Sequence, residues 1–426
     1  MTALAVIGTG YVGLTTGVCF AHLGHDVICA DIDVDKVARL ERGESPIVEE
    51  RVEKLIAEGL AAGRLRFTDS PAAAVSDCEI AFLCVPTPSL PDGSVDLAFI
   101  ESAVEMIAGA LPPGAVVATK STVPVGSTRV VEQTLGRHDV AVVSNPEFLR
   151  EGTAVQDFLA PDRVVIGSDD PEASARVAAL YEPLGAPVVI TDPATAETVK
   201  YVANAFLATK LSFVNAIAAV CEAVGADVDD VMVSLGHDHR IGPDYLQPGP
   251  GWGGSCFPKD TRALLQISEE AGYPFRFLEG VLEVNAQQVD RVVAKVESAA
   301  GGSLDAANVA VWGLTFKANT DDLRESPSLA VIENLLERGA VVRAWDPTVE
   351  ASRPPIPGEV EVCADPYVAC QDADAVVVLT EWSELEEVDA VKVAELVRRR
   401  TVVDARNILD RDAWRRAGFV HQGIGR

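Results

Sequence analysis

Near the N-terminus a short apolar run, Leu4-Ala-Val-Ile7, passes straight into Gly8-Thr-Gly10-Tyr-Val-Gly13 and then into the helix-like stretch from Leu14 to Leu23. An unbroken apolar run suits a strand covered on both faces, and G-x-G-x-x-G between strand and helix is the turn of a dinucleotide-binding βαβ unit. Its glycines permit a tight turn and let a pyrophosphate approach the helix N-terminus, where free N–H groups and the helix dipole favour negative charge. A second strand, Asp26 to Ala30, ends in Asp31, about 20 residues beyond the turn, where a carboxylate accepts from the ribose hydroxyls of NAD and repels the 2′-phosphate of NADP. Gly8, Gly10, Tyr11, Val12, Gly13 and Asp31 are therefore candidate cofactor contacts.

The turn commits the chain to an α/β architecture, and the remaining periodicity extends it. Glu79 to Val85 stops at Pro86-Thr87-Pro88, Ala115 to Lys120 stops at Ser121-Thr122-Val-Pro124, and Val140 to Val143 runs into Asn145-Pro-Glu-Phe-Leu-Arg-Glu-Gly152. Ligands of an open parallel sheet lie beyond the carboxyl ends of the strands, which places Thr87 and Thr122 near cofactor or substrate. If the segment after Asn145 is helical, Glu147 and Glu151 share a face at i,i+4, an unfavourable like-charge pair that suggests proton handling. From Thr195 to Val224 apolar residues keep helical spacing for about eight turns, one long helix with Lys200 and Asn204 a turn apart near its start. Helical stretches are expected over Thr261 to Ala271 and Phe277 to Ala299. A second α/β half follows, with strands at Val309 to Leu314, Val341 to Trp345, Ala375 to Leu379 and Arg400 to Val403, and a helix over Ser326 to Glu337. It lacks G-x-G-x-x-G and carries Lys317, Arg324 and Arg406 at strand-end loops. The expected divisions are a dinucleotide-binding domain over 1–194, a central helical region over 195–300 and a second Rossmann-like domain over 301–426.

The chemistry centres on Gly251-Trp-Gly-Gly-Ser-Cys256-Phe-Pro-Lys259-Asp260. A thiol behind a glycine cluster, with a lysine and a carboxylate three and four residues on, is the layout of a nucleophile with acid/base support. A thiolate adds to an aldehyde, the adduct can lose hydride to give a thioester, and water then releases an acid. Lys200 and Asn204 could hold a developing oxyanion or a catalytic water. The other cysteines, Cys19, Cys29, Cys78, Cys84, Cys221, Cys363 and Cys370, lie in or beside apolar runs without a C-x-x-C pair and read as core.

Eight scattered cysteines fit a reducing compartment, and neither a leader nor an unbroken apolar run of membrane-spanning length is seen, so a cytoplasmic protein is expected. A net charge of −29 disfavours nucleic acid and anionic lipid as partners and makes cations in clefts informative about a phosphate-bearing substrate. His237-Asp-His239 offers two imidazoles with no third ligand in view, and no metal is expected.

These motifs together resemble the UDP-glucose 6-dehydrogenases, within the UDP-glucose/GDP-mannose dehydrogenase family, along nearly the whole chain. The resemblance rests on Gly8 to Gly13, Cys84-Val-Pro-Thr-Pro88, Lys120-Ser-Thr-Val-Pro-Val-Gly126, Asn145 to Glu151, Lys200-Tyr-Val-Ala-Asn204, Gly253 to Asp260, and Phe316-Lys317 through Arg324-Glu-Ser-Pro327. It implies two Rossmann-like doubly wound domains joined by a long central helix that also forms a homodimer interface. The implied activity is a four-electron, NAD-dependent oxidation of UDP-glucose at C6 to UDP-glucuronate.

By matched motif, Cys256 is the nucleophile, Lys200 and Asp260 position water or stabilise the alkoxide, and Asn204 supports the oxyanion. Glu147 moves protons during thioester hydrolysis, while Thr122 and Glu151 order cofactor and water. Lys36, Thr87 and Arg324 join the cofactor contacts. Phe148, Leu149 and Gly253 join Glu147, Lys200 and Asn204 around the sugar, and Tyr245, Lys259, Lys317 and Arg406 resemble further substrate contacts. Arg240 resembles an arginine that reaches a neighbouring subunit's substrate. Trp252 stands where many relatives have Phe or Tyr. dTDP-glucose, a UDP-N-acetylhexosamine and GDP-mannose remain alternative substrates. A regulator that binds NAD without chemistry would keep the glycine turn but has no use for Cys256, and a two-electron alcohol dehydrogenase would not need the thiol.

Overall fold

The computed structural model of the chain describes residues 1–90, 92–349 and 354–426. Two compact units divide it: Met1–Ala203 with Arg262–Ala271, and Asn204–Thr261 with Gly272–Arg426. The expected central region is thus apportioned between the two.

In the first unit, eight strands form one sheet. They are β1 (Ala3–Ile7), β2 (Asp26–Ala30), β3 (Leu65–Thr68), β4 (Ile80–Leu83), β5 (Val116–Thr119), β6 (Ala141–Ser144), β7 (Val164–Gly167) and β8 (Val188–Thr191), in the order β3-β2-β1-β4-β5-β6-β7-β8. All pairs are parallel except β6 with β7, which meet antiparallel at Ser144 and Gly167. The order reverses direction at β1, the switch point of a doubly wound sheet. Leu4, Val6, Ile80 and Phe82 pack into the core on one face, while Ala5, Ile7, Ala81 and Leu83 pack into a separate core on the other. Alternating side chains that all find apolar neighbours explain why the strands read as unbroken apolar runs.

The second unit repeats the theme with β9 (Asn308–Trp312), β10 (Val341–Trp345), β11 (Glu361–Cys363), β12 (Ala375–Val378), β13 (Thr401–Asp404) and β14 (Val420–Gly423), ordered β11-β10-β9-β12-β13-β14 and wholly parallel. Val309 and Val311 face one core, Ala310 and Trp312 the other. The strands β3, β7, β8, β11 and β14 were not anticipated from the sequence.

The helix Pro193–Val224 spans 32 residues, with its first turns in the first unit and the rest in the second. Near its start, Glu197 is buried and serves as cap for another helix, Ser127–Leu135. Its carboxylate accepts from the Gly126 and Thr128 amides at 2.6 and 2.8 Å and from the Thr128 hydroxyl at 2.7 Å. Those amides are the orphan donors of a helix start, for which a carboxylate is the natural acceptor. By length and composition the long helix could cross a membrane, with a mean hydropathy of 1.5 over its most apolar window. Its apolar residues divide, however, between burial (Val214, Ala218, Cys221) and exposure (Phe206, Phe213, Val220, Val224).

Candidate active site

The glycine turn in the first unit has the shape the sequence requires. Gly8 sits at φ +96°, and a Cβ there would lie 2.6 Å from the Cys84 carbonyl oxygen; a Cβ on Gly13 would run into the carbonyl oxygen of Gly8. Gly10 differs, since a Cβ on it would meet nothing within 4 Å. It begins the helix Tyr11–His22 without a capping side chain, so an anionic group can approach the first-turn amides. Asp31 is aimed back at this turn, with Oδ2 accepting from the Thr9 amide at 2.9 Å, the Thr9 hydroxyl at 2.7 Å and Lys36 Nζ at 2.9 Å. Burial pushes the carboxyl upward, but the donors from Thr9, Lys36 and Asp33 outweigh it and hold Asp31 below the usual carboxylate range. An open glycine face beside an ionised acid fits a dinucleotide. The Tyr11 hydroxyl accepts from the Gly152 amide, which Glu49 also engages at 2.7 Å. Thr87 donates to the Thr122 carbonyl at 2.8 Å and so ties two strand-end loops together.

The segment after β6 corrects the helical expectation: Asn145 to Arg150 is irregular, followed by a turn at Glu151 and Gly152. Two causes act together. A residue preceding proline is disfavoured in the helical region, and the Asn145 side chain is fixed by donating to the Val165 carbonyl at 2.9 Å and accepting from the Tyr181 hydroxyl at 2.7 Å. Glu147 and Glu151 therefore do not form an i,i+4 pair. Glu147 is instead buried against Lys200, with Nζ 2.9 Å from Oε1, while its Oε2 takes the Leu149 amide at 2.5 Å. Phe148 lies beneath two cations, the Arg163 guanidinium 3.6 Å from its ring centroid and Lys200 Nζ at 5.6 Å.

Cys256 belongs to the second unit. The helix that follows spans Phe257–Glu270, four residues earlier than expected, and the Asp260 amide donates to the Cys256 carbonyl at 2.8 Å. The thiol thus stands at a helix N-terminus, a place that favours developing negative charge. Of the eight cysteines it alone is partly exposed. Burial pushes the Cys19, Cys78 and Cys84 thiols up to about 12, and Cys29 and Cys370 higher still, which leaves them inert. Asp260 is fully buried; its Oδ2 accepts from Asn204 Nδ2 at 2.6 Å and its Oδ1 lies 2.8 Å from Lys259 Nζ.

Glycines of the cysteine loop serve packing as much as access. A Cβ on Gly253 would strike the Glu325 carbonyl oxygen, and one on Gly254, at φ +84°, would lie 2.8 Å from the Phe316 ring. Polar groups that sequence reasoning passed over hold the loop in place. Asn215 accepts from the Gly249 amide at 2.9 Å, Gln288 donates to the Gly249 carbonyl at 2.8 Å, and Asn285 pairs with both the amide and the carbonyl of Trp252. The larger indole at Trp252 is buried and donates to the Ser212 hydroxyl at 2.9 Å. The available signal was a polar residue interrupting an apolar helical face, as at Ser212 and Asn215.

At the second sheet, Arg406 donates to the carbonyls of Leu379 and Phe316 at 2.8 and 3.0 Å and pairs with Glu381 at 3.0 Å. Arg324 pairs with Asp322 at 2.6 Å, Arg240 with Asp238 at 2.5 Å, and Lys317 Nζ lies 5.7 Å from the Phe316 ring centroid. Tyr245 has a left-handed backbone at φ +61° and its ring lies 6.2 Å from that of Phe257. Asp346, at the end of β10, occupies the place that Asp31 holds after β2. Its Oδ2 is taken by the Leu314 and Thr315 amides at 2.8 and 3.1 Å and by the Trp382 indole at 3.0 Å.

Glu147, Phe148, Leu149 and Lys200 are thus gathered in the first unit with the glycine turn and Asp31, and Asn204, Lys259 and Asp260 stand beside the Cys256 helix start in the second. Lys200 and Asn204 fall one turn apart along a single helix, on either side of the division.

Three family models match the chain in succession: the NAD binding domain of the UDP-glucose/GDP-mannose dehydrogenase family over residues 2–185, its central domain over 194–287 and its UDP binding domain over 310–411. The chain is 45% identical to a UDP-glucose 6-dehydrogenase of Rhizobium meliloti (strain 1021), with 99% of each covered. It is 44% identical to the UDP-glucose 6-dehydrogenase TuaD of Bacillus subtilis (strain 168), covering 100% of this chain and 94% of the relative. Among solved structures, a UDP-glucose dehydrogenase from Pyrobaculum islandicum superposes with a TM-score of 0.92 at 38% identity, covering 100% of this chain and 98% of that one. A UDP-D-ManNAc dehydrogenase from Pyrococcus horikoshii gives a TM-score of 0.88 at 28% identity, with 99% of each chain covered.

Proposed function

The chain belongs to the UDP-glucose/GDP-mannose dehydrogenase family, and from that premise we propose that it oxidises the C6 alcohol of UDP-glucose to the carboxylate of UDP-glucuronate in two NAD-dependent steps. The observation that carries this reading is Cys256, the one partly exposed thiol, standing at the start of a helix directly ahead of half-buried Lys259 and buried Asp260, whose pairing Asn204 completes.

The glycine turn and Asp31 would hold NAD, which when bound would supply the hydride acceptor for each oxidation. The protein's own groups do the rest. The first oxidation removes hydride and proton from the C6 alcohol and leaves an aldehyde, whose developing alkoxide Lys200 and Asn204 stabilise. The sulfur of Cys256 then bonds to the aldehyde carbon, and the oxygen takes up a proton. Loss of the second hydride from that carbon, with loss of the hydroxyl proton, yields a thioester. Water, deprotonated by Glu147, attacks the carbonyl; the C–S bond breaks, the thiol regains its proton, and the acid departs. The aldehyde stays covalently held between the two oxidations.

Relatives named for UDP-glucose share more identity with this chain than the solved N-acetylmannosamine enzyme, which supports glucose as the sugar. The protein works as a soluble cytoplasmic homodimer. Phe206, Phe213, Val220 and Val224, all more than half exposed along one helix, supply an apolar face for a twin copy, while Glu197 and Lys200, buried in the same helix, suit a protein interior rather than lipid. In that dimer Arg240 reaches the partner's substrate.

The test incubates purified protein with NAD and, separately, UDP-glucose, dTDP-glucose, UDP-N-acetylglucosamine and GDP-mannose, counting NADH per sugar consumed. Two NADH per UDP-glucose and no free aldehyde are expected. One NADH with accumulating aldehyde overturns the thioester route, and faster turnover of another sugar overturns the substrate assignment.

A further inference from the structure

Four polar side chains to which the reaction above assigns no task converge on the loop ahead of Cys256. Ser212 and Asn215 lie three residues apart on the long helix, and Asn285 and Gln288 lie three residues apart on the helix Arg276–Ala299. That spacing puts each pair on one helix face. Ser212, Asn215 and Gln288 are buried, where a polar group is costly unless it is hydrogen-bonded.

Their bonds go to two residues of the loop. Asn215 Oδ1 accepts from the Gly249 amide at 2.9 Å, and Gln288 Nε2 donates to the Gly249 carbonyl at 2.8 Å. Asn285 takes both backbone groups of Trp252, accepting from the amide at 2.8 Å and donating to the carbonyl at 2.9 Å. Ser212 accepts from the Trp252 indole at 2.9 Å and donates to the Val281 carbonyl at 2.8 Å, which ties the two helices together beneath the loop. Side chains thus supply at Gly249 and Trp252 the pairing that a strand takes from a neighbouring backbone. The direction of each bond is fixed, since a backbone N–H only donates and a C=O only accepts. An oxygen is required at Asn215 and an N–H at Gln288, and volume alone satisfies neither. Between Trp252 and Cys256 the chain has little room to shift, because a Cβ on Gly253 would strike the Glu325 carbonyl and one on Gly254 would lie 2.8 Å from the Phe316 ring.

We propose that Asn215, Asn285 and Gln288 are positioning residues for the oxidation: by holding the backbone of Gly249 and Trp252 they set the Cys256 sulfur where it captures the aldehyde. This rests on the reading of Cys256 as the nucleophile. The first hydride transfer does not use the sulfur, so a loosened loop spares that step and slows the capture. Aldehyde then escapes before the second oxidation.

The test uses the full chain with Gln288→Met and Asn215→Leu, which nearly keep volume and lose the bond, and Asn215→Asp, which keeps an oxygen acceptor whether ionised or protonated. NADH is counted per UDP-glucose consumed, and released aldehyde is measured as its semicarbazone. Losing the partner of a buried backbone group should slow capture by about tenfold. Gln288→Met and Asn215→Leu should therefore fall from two NADH per sugar toward one, with aldehyde making up the difference, while Asn215→Asp holds two. Side chains that served stability alone would lower the amount of product and leave the ratio at two. That outcome in Gln288→Met or Asn215→Leu overturns the proposal, as does a fallen ratio in Asn215→Asp. A second measurement needs no turnover: alkylation of Cys256 by iodoacetamide in folded protein without substrate, followed by mass spectrometry of its peptide. The rate should rise about threefold or more in Gln288→Met and Asn285→Leu, because a loop released from its partners opens more often. Rates equal to wild type overturn the clamp. If no nucleotide sugar were oxidised, the proposed function would fall while alkylation still decided whether these amides hold the thiol.

Discussion

Asn204 donates to Asp260 at 2.6 Å, a bond between side chains 56 residues apart that closes over a carboxylate with no solvent exposure. Asp260 also faces Lys259 at 2.8 Å, so one acid organises an amide and an ammonium beside the helix start of Cys256. Removing the acid strands both. Asp260→Ala should cost about 3 to 5 kcal/mol in urea unfolding, the range for breaking a buried ion pair, whereas Asp260→Asn should cost less and lower kcat without changing NAD affinity. Equal stability of the Ala variant and wild type would mean that the pair is solvated in solution.

Two glycines of the same turn should fail in different ways. Gly13→Ala places a Cβ against the Gly8 carbonyl and should destabilise the fold by about 1 to 3 kcal/mol. Gly10→Ala meets no protein atom within 4 Å and should remain within about 1 kcal/mol of wild type, yet weaken NAD binding in a calorimetric titration by obstructing the pyrophosphate. Undiminished NAD affinity in Gly10→Ala would place the cofactor elsewhere.

Asp31 and Lys36 pair at 2.9 Å beside the glycine turn, where we propose that the ribose binds. Asp31→Ala should remove both the ribose acceptor and the repulsion of a 2′-phosphate while releasing a lysine to attract one. The preference for NAD over NADP, read as a ratio of kcat/KM values, should narrow by at least about tenfold, the equivalent of one charged hydrogen bond. A ratio that does not move would remove Asp31 from cofactor choice.

Lys120, buried against the rings of Phe158 and Tyr181, should leave a mark on stability. Its proton is held less tightly folded, at about 8, than at its ordinary value of 10.5. Because the unfolded chain binds more protons between those values, the lysine's contribution is full above 10.5 and is lost as pH falls through about 8. Wild type should therefore gain stability relative to Lys120→Met as pH rises across that window, followed by chemical unfolding. A constant difference would show that Lys120 titrates normally.

Phe206→Glu with Phe213→Glu should convert a dimer to a monomer in sedimentation velocity while leaving helix content unchanged, because both side chains are more than half exposed. In verified heterodimers of an Arg240→Ala chain with a Cys256→Ala chain, activity should return, since one of the two sites keeps both groups. No recovery would assign Arg240 to its own subunit.

What the sequence determined by itself is the part of the protein written in contiguous residues. The strand Ala3–Ile7, the glycine turn and the strand ending before Asp31 could be read directly, because side-chain alternation and turn chemistry are local properties. The long helix was equally legible from its spacing. Local reading went astray where a local cue was ambiguous. The sequence reading starts this helix at Thr261, after Phe257-Pro258, but proline is tolerated in a first turn, and the helix begins at Phe257, which is what sets Cys256 at its N-terminus. Only the tertiary structure decided the partners. Glu147 has like-charged Glu151 for a sequence neighbour, yet its carboxylate meets Lys200 from 53 residues away. Lys120 reads as an ordinary strand end until the rings of Phe158 and Tyr181 close over it. Burial and charge pairing depend on what folds against a residue, and no pattern within its own segment records that.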